Sequence, residues 1–77
     1  MELQIISFGK VAEFLESQQL TVNEIKDTNQ LKSYLEHTFP QLATMKYKLA
    51  VNKLLVQENV PLNNKDSVAI MPPFSGG

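Results

Sequence analysis

Between Asp27 and Pro40 lies the longest stretch of this chain with helical periodicity. Leu31, Tyr34, Leu35 and Phe39 recur at spacings of three and four, which places them along one side of a helix covering about residues 28–39. Asp27 or Thr28 supplies the capping oxygen, and Gln30, three residues after Asp27, is the partner expected in a capping box. Pro40 ends the pattern, because a proline disfavours helical backbone in the residue before it and has no N–H for the next bond. A single helix with one apolar stripe must bury that stripe. In a chain of 77 residues, one domain long, the surface available to it is a sheet made from the flanking segments.

Those segments read as strands. In residues 2–8, Leu3, Ile5 and Ser7 alternate with Gln4, Ile6 and Phe8, a pattern that a pleated strand buries on one or both faces. Gly9 closes it. Val11, Phe14 and Leu15 then predict a short helix over roughly residues 10–17, and Leu20, Val22 and Ile25 predict a strand near 19–25 that returns antiparallel to the first. After the long helix, Tyr47, Leu49 and Val51 alternate with polar or small residues. Asn52-Lys53 forms a tight turn, and Leu54-Leu55-Val56 is the partner strand. Pro61, Asn63, Asn64 and Asp66 mark a loop before a last strand, Val68-Ala69-Ile70-Met71, which Pro72-Pro73 terminates.

Two hairpins flanking one helix predict an α+β chain of β-grasp architecture. A mixed five-stranded sheet packs on the main helix, a short helix joins the first two strands, and the first and last strands lie parallel at the centre. Residues 1–71 form the domain. Residues 72–77 extend past the end of the central strand as a flexible tail.

The chemical inventory is sparse. Cys is absent, which excludes disulfides, thiolate metal ligands and thiol nucleophiles. The formal net charge is −1 and there is no Arg, so the basic footprint of a nucleic-acid binder is missing. No apolar run approaches the roughly 18 residues of a membrane span, and the amino terminus lacks the pattern of a secretory signal, so a cytoplasmic protein is expected. His37 falls off the apolar stripe and reads as an exposed helical histidine. Ser33 and Ser75 have no base near them in sequence, and the lysines read as a solvated surface, with Lys53 or Lys65 the candidates for an acidic partner. No metal site and no catalytic set emerge, and the chain is not expected to be an enzyme by itself.

The glycines carry more information. Of three, two are Gly76 and Gly77 at the carboxyl end, behind a stiff Pro72-Pro73 and an apolar Phe74 that follows the last strand. Residues without Cβ atoms thread a narrow channel and allow another backbone to approach closely. A terminal carboxylate is ionised at neutral pH and a poor electrophile, so attaching anything to it requires activation by another protein.

Over essentially all 77 residues the chain resembles the ubiquitin-like sulfur carriers. Pro72-Pro73-Phe74-Ser75-Gly76-Gly77 is similar to the ending of the small subunits of molybdopterin synthases. Leu49-Ala50-Val51-Asn52, and Asp66 leading into Val68-Ala69-Ile70, are further matches. The resemblance implies that an adenylating enzyme like the ubiquitin activators uses ATP to convert the Gly77 carboxylate to an acyl-adenylate, which sulfur displaces to give a thiocarboxylate. It implies that the large catalytic subunit receives the tail, where the thiocarboxylate delivers sulfur to cyclic pyranopterin monophosphate during molybdenum cofactor synthesis. In that scheme Gly77 holds the sulfur and Gly76 permits threading. Phe74, flanked by Ser75 and the two prolines, fixes depth and direction. No bound cofactor is implied. The family suggests a heterotetrameric assembly.

The sequence departs from the family pattern at two turns, with Asn64-Lys65 and Lys53 where Gly is common; Asn tolerates the left-handed backbone such turns require. Two other functions use the same fold. A carrier for thiamine synthesis or tRNA thiolation shares the terminal chemistry, with the Pro-Pro-apolar tail speaking against it. A non-reactive β-grasp docking module needs no terminal Gly-Gly.

Overall fold

The Asp27 side chain accepts a hydrogen bond from the Gln30 N–H at 2.8 Å and so caps the long helix α1, Thr28–Thr38, in the computed structural model, which describes residues 1–73. The Gln30 side chain reaches back as expected, although its oxygen accepts from the N–H of Lys26, one residue before the cap, at 2.7 Å. Thr28, fully buried, ties α1 to the later loop: its hydroxyl accepts from the Val60 N–H at 3.0 Å and donates to the Asn59 side chain at 3.2 Å. Leu31 and Leu35 face the core, whereas Tyr34, expected on the same stripe, is 37% exposed. Pro40 does not simply end helical structure. It occupies the first turn of a second helix, α2, Pro40–Ala43, where the missing N–H forfeits no helical bond, and α2 buries Leu42.

Five strands form one sheet: β1, Glu2–Ser7; β2, Gln18–Thr21; β3, Lys48–Val51; β4, Leu54–Val56; and β5, Asp66–Met71, in the order β2-β1-β5-β3-β4. β1 and β5 pair in parallel from Leu3–Asp66 to Ser7–Ile70, and the other neighbours are antiparallel. The core is closed between the inner face of the sheet (Leu3, Ile5, Leu49, Val68, Ile70) and Leu31, Leu35 and Leu42 from the helices. Truncating any one of these fully buried leucines to Ala costs about 2–5 kcal/mol, a large share of the stability of a domain this size.

The predicted helix over residues 10–17 is a 3₁₀ turn, Gly9–Glu13. Val11 and Leu15 are buried as the apolar spacing required, but the chain has no length for a second turn. The Ser17 hydroxyl must accept from the Ser7 N–H at 2.9 Å, and Gln18 already pairs with Ile5. β2 likewise stops at Thr21, short of the expected residue 25, and Val22 and Ile25 leave the ladder to enter the core. β5 starts two residues earlier than expected. Asp66 anchors that start by accepting from the Asn63 N–H at 2.8 Å and from the Asn52 side chain at 3.0 Å. The Asn52-Lys53 turn has φ of 50° and 72°, and Lys65, rather than Asn64, takes the left-handed conformation in the loop before β5, with φ 70°.

Tyr47, at the entrance to β3, packs against the core, and its hydroxyl donates to the Glu36 carboxylate on α1. Burial first, then this hydrogen bond and the Glu36 charge, push its pKa well above the ordinary value of 10.0. A phenol whose folded pKa is raised contributes stability that is fully present below the unfolded value and is lost as pH climbs above it. Urea denaturation should therefore show the wild type losing more stability than Tyr47→Phe between about pH 9 and pH 11, since the variant lacks this titration.

Candidate functional site

β5 runs from the middle of the sheet to Met71 and hands the chain to Pro72 and Pro73. Pro72 lies against Gly9, the residue that follows the β1 extension. Gly9 has φ +58°, and a Cβ there would sit 2.9 Å from Pro72 Cγ and 3.3 Å from Cδ. The left-handed glycine therefore serves two needs, reversing the chain after Phe8 and letting the proline ring close on bare backbone. Of the proposed tail residues, Pro72 is half-buried and Pro73 exposed. Phe74, Ser75, Gly76 and Gly77 lie outside the described residues.

The strand register assembles a surface that the sequence did not single out. On the sheet face opposite the helices, Ile6, Ala69, Ala50 and Leu55 form one row across β1, β5, β3 and β4. The next row, toward the end of β5, carries Met71 opposite Lys48, with Phe8 one step beyond the Ser7–Ile70 pair. Two alanines thus make a shallow floor between larger apolar side chains. Phe8 is 50% exposed and Leu55 45% exposed, a substantial area of hydrocarbon facing water beside the end of β5. The signal for it was present as apolar residues at both parities of a strand, Ile5 with Ile6 and Leu54 with Leu55. Alternation alone does not say which of the two faces is covered.

The other singled-out residues stand apart. His37 and Ser33 are exposed on α1, and Lys53 and Lys65 are exposed at their two turns. Among the described residues no group of three or more His, Asp and Glu gathers as metal ligands, and no helix is long and apolar enough to cross a membrane.

A family model described as the ThiS family matches residues 5–77. The chain belongs to the ThiS family. A curated relative, the molybdopterin synthase sulfur carrier subunit of Dictyostelium discoideum, is 31% identical, and the alignment covers 99% of this chain and 96% of that one. Solved structures bear the same fold. A Pyrococcus furiosus chain described as a molybdopterin converting factor subunit 1 superposes with a TM-score of 0.83 at 14% identity, over 95% of this chain and 98% of that one. A chain from the protein–protein complex of subunits 1 and 2 of molybdopterin-converting factor from Helicobacter pylori superposes with a TM-score of 0.72 at 24% identity, over the whole of both chains. The architecture is the ubiquitin-like β-grasp that these structures share with this chain.

Gly9→Ala should destabilise the domain by about 1–2 kcal/mol from the left-handed backbone alone, with the proline contact adding to it. Pairing it with Pro72→Ala should recover the contact part and leave the backbone part, which thermal denaturation of the two single variants and the double variant separates.

Proposed function

We propose that this chain is the sulfur-carrying small subunit of a molybdopterin synthase, with the carboxylate of Gly77 as its reacting group. The observation that carries the proposal is the end-to-end similarity to a molybdopterin synthase sulfur carrier subunit in a chain of the ThiS family. The geometry is consistent with it. β5 aims the chain out of the sheet beside an exposed apolar face, so a partner covering Phe8, Met71 and Leu55 also receives the tail.

The chemistry requires other proteins. An activating enzyme joins the Gly77 carboxylate to the α-phosphate of ATP, releasing pyrophosphate, and a sulfur nucleophile then displaces AMP to leave a thiocarboxylate. In the large subunit the thiocarboxylate sulfur forms a carbon–sulfur bond to cyclic pyranopterin monophosphate as a carbon–oxygen bond there breaks, and water then cleaves the acyl–sulfur bond, which returns the Gly77 carboxylate and leaves one sulfur of the dithiolene; a second charged carrier supplies the other. This chain contributes the acyl group, two residues slender enough to thread a channel, and the surface that docks. The catalytic residues lie on the large subunit. The cytoplasm, where ATP and the activating enzyme are at hand, is the compartment this chemistry calls for. Thiamine or tRNA thiolation would use the same thiocarboxylate with another acceptor, and the Dictyostelium discoideum relative favours the pterin.

Deleting Gly76 and Gly77 should leave the melting curve nearly unchanged and abolish the oxygen-for-sulfur mass gain seen by mass spectrometry after co-expression with the adenylating partner. Sulfur transfer that survives the deletion would exclude the carrier role. Phe74 is the tail side chain with substantial area to bury, so Phe74→Ala should weaken binding to the large subunit about tenfold to a hundredfold in titration calorimetry, with folding unaffected.

A further inference from the structure

Charge is unevenly distributed over this domain, and the imbalance is concentrated at the root of the tail. A groove of about 400 Å³ runs between α1 and the entrance to β3, lined by Lys32, Glu36, Met45, Lys46, Tyr47, Lys48 and Pro73. It holds three of the seven lysines and one of the eight acidic residues, a formal charge of +2, while the other four lysines and seven acids leave the rest of the chain at −3. The single carboxylate in the groove, Glu36, is already occupied by the Tyr47 hydroxyl. Lys46 and Lys48 are exposed.

Two placements give the groove a direction. Pro73 forms part of its lining, so the chain after β5 lies beside these lysines at Pro73. Lys48 pairs across the ladder with Met71, which puts one wall of the groove at the margin of the apolar face bearing Phe8 and Leu55. A protein that covers that face and takes the tail must pass over Lys48. An apolar centre with a charged margin is the ordinary anatomy of a protein interface, and charges at the margin act mainly on the rate of encounter.

We propose that the Lys32–Lys46–Lys48 groove is the electrostatic flank of the docking surface, and that the large subunit which receives the tail presents a carboxylate-rich rim to it. This rests on the sulfur-carrier function and adds the chemistry by which the partner is recognised. The lysines attract an acidic rim over a screening length of about 30 Å at 0.01 M ionic strength and about 3 Å at 1 M, so their contribution belongs to the association rate and disappears in salt.

The test is stopped-flow association of the full chain with the large subunit of the same source, comparing wild type, Lys46→Glu with Lys48→Glu, and a charge-matched control pair outside the groove, Lys26→Glu with Lys65→Glu. At about 0.01 M ionic strength the double variant in the groove should associate about tenfold to a hundredfold more slowly than wild type, the control pair should change the rate less than about twofold, and the gap should close near 1 M. If the reversed charges impair folding, the neutral pair Lys46→Gln with Lys48→Gln should give a smaller slowing with the same salt dependence. Equal rates for the double variant and the control would overturn the proposal. So would faster association of the double variant, which would place the chain's own terminal carboxylate on the lysines. A wild type that does not bind the large subunit at all would remove the sulfur-carrier function itself, an outcome distinct from the other two.

Discussion

The parallel pairing of β1 with β5 is the constraint from which the rest of the molecule follows. It joins Leu3–Ser7 to Asp66–Ile70, the two ends of the described fold, at the centre of the sheet. The β1–β2 and β3–β4 hairpins are then forced to the flanks, and α1 must cross the single inner face they share. Buried parallel strands are apolar on the covered side, and Leu3, Ile5, Val68 and Ile70 fill that side with essentially no exposed surface. The same pairing sets Phe8 beside the exit of β5 and brings Gly9 against Pro72. Fold and site therefore share one set of contacts.

Much of this architecture was legible because its determinants are local. Asp27 and Gln30 announce the start of α1, Asn52-Lys53 sits between two short apolar runs, and Pro72-Pro73 has no donors with which to continue a ladder. Most of what sequence reasoning missed was decided by distant partners. The segment after Gly9 has helical spacing, but pairing of Gln18 with Ile5 leaves it room for one 3₁₀ turn. Pro40 reads as a terminator, and it also starts α2, because the proline that breaks one helix suits the first turn of the next. At the loop before β5 the left-handed residue is Lys65 and not the Asn beside it. The hydrogen bonds of Asp66 to Asn63 and Asn52 hold that turn in place of intrinsic preference.

The site divides in the same way. The proposed tail motif is a string of adjacent residues and is read from the sequence alone. The apolar face combines Ile6, Phe8, Ala50, Leu55, Ala69 and Met71 from four strands, and only the register brings them together. Lys32, Lys46 and Lys48 look scattered in sequence, yet α1 and the entrance to β3 gather them beside Pro73. Spacing along the chain carries no record of such convergence.

The strand order also bears on how this protein is made. Among the described residues β5 is the last strand in chain order, and it is the one that fills the middle of the sheet. Until residues 66–71 have cleared the ribosome, the β1–β2 and β3–β4 hairpins are separate two-stranded ribbons, each with an unpaired edge where β5 belongs, and two-stranded ribbons alone are marginal in water. Nascent chains thus expose these edges until β5 emerges, and closure comes as a single long-range event when β5 inserts. Because the residues after Met71 emerge behind the strand that completes the body, a partner that reads both body and tail meets them together only on a chain that has passed this folding checkpoint.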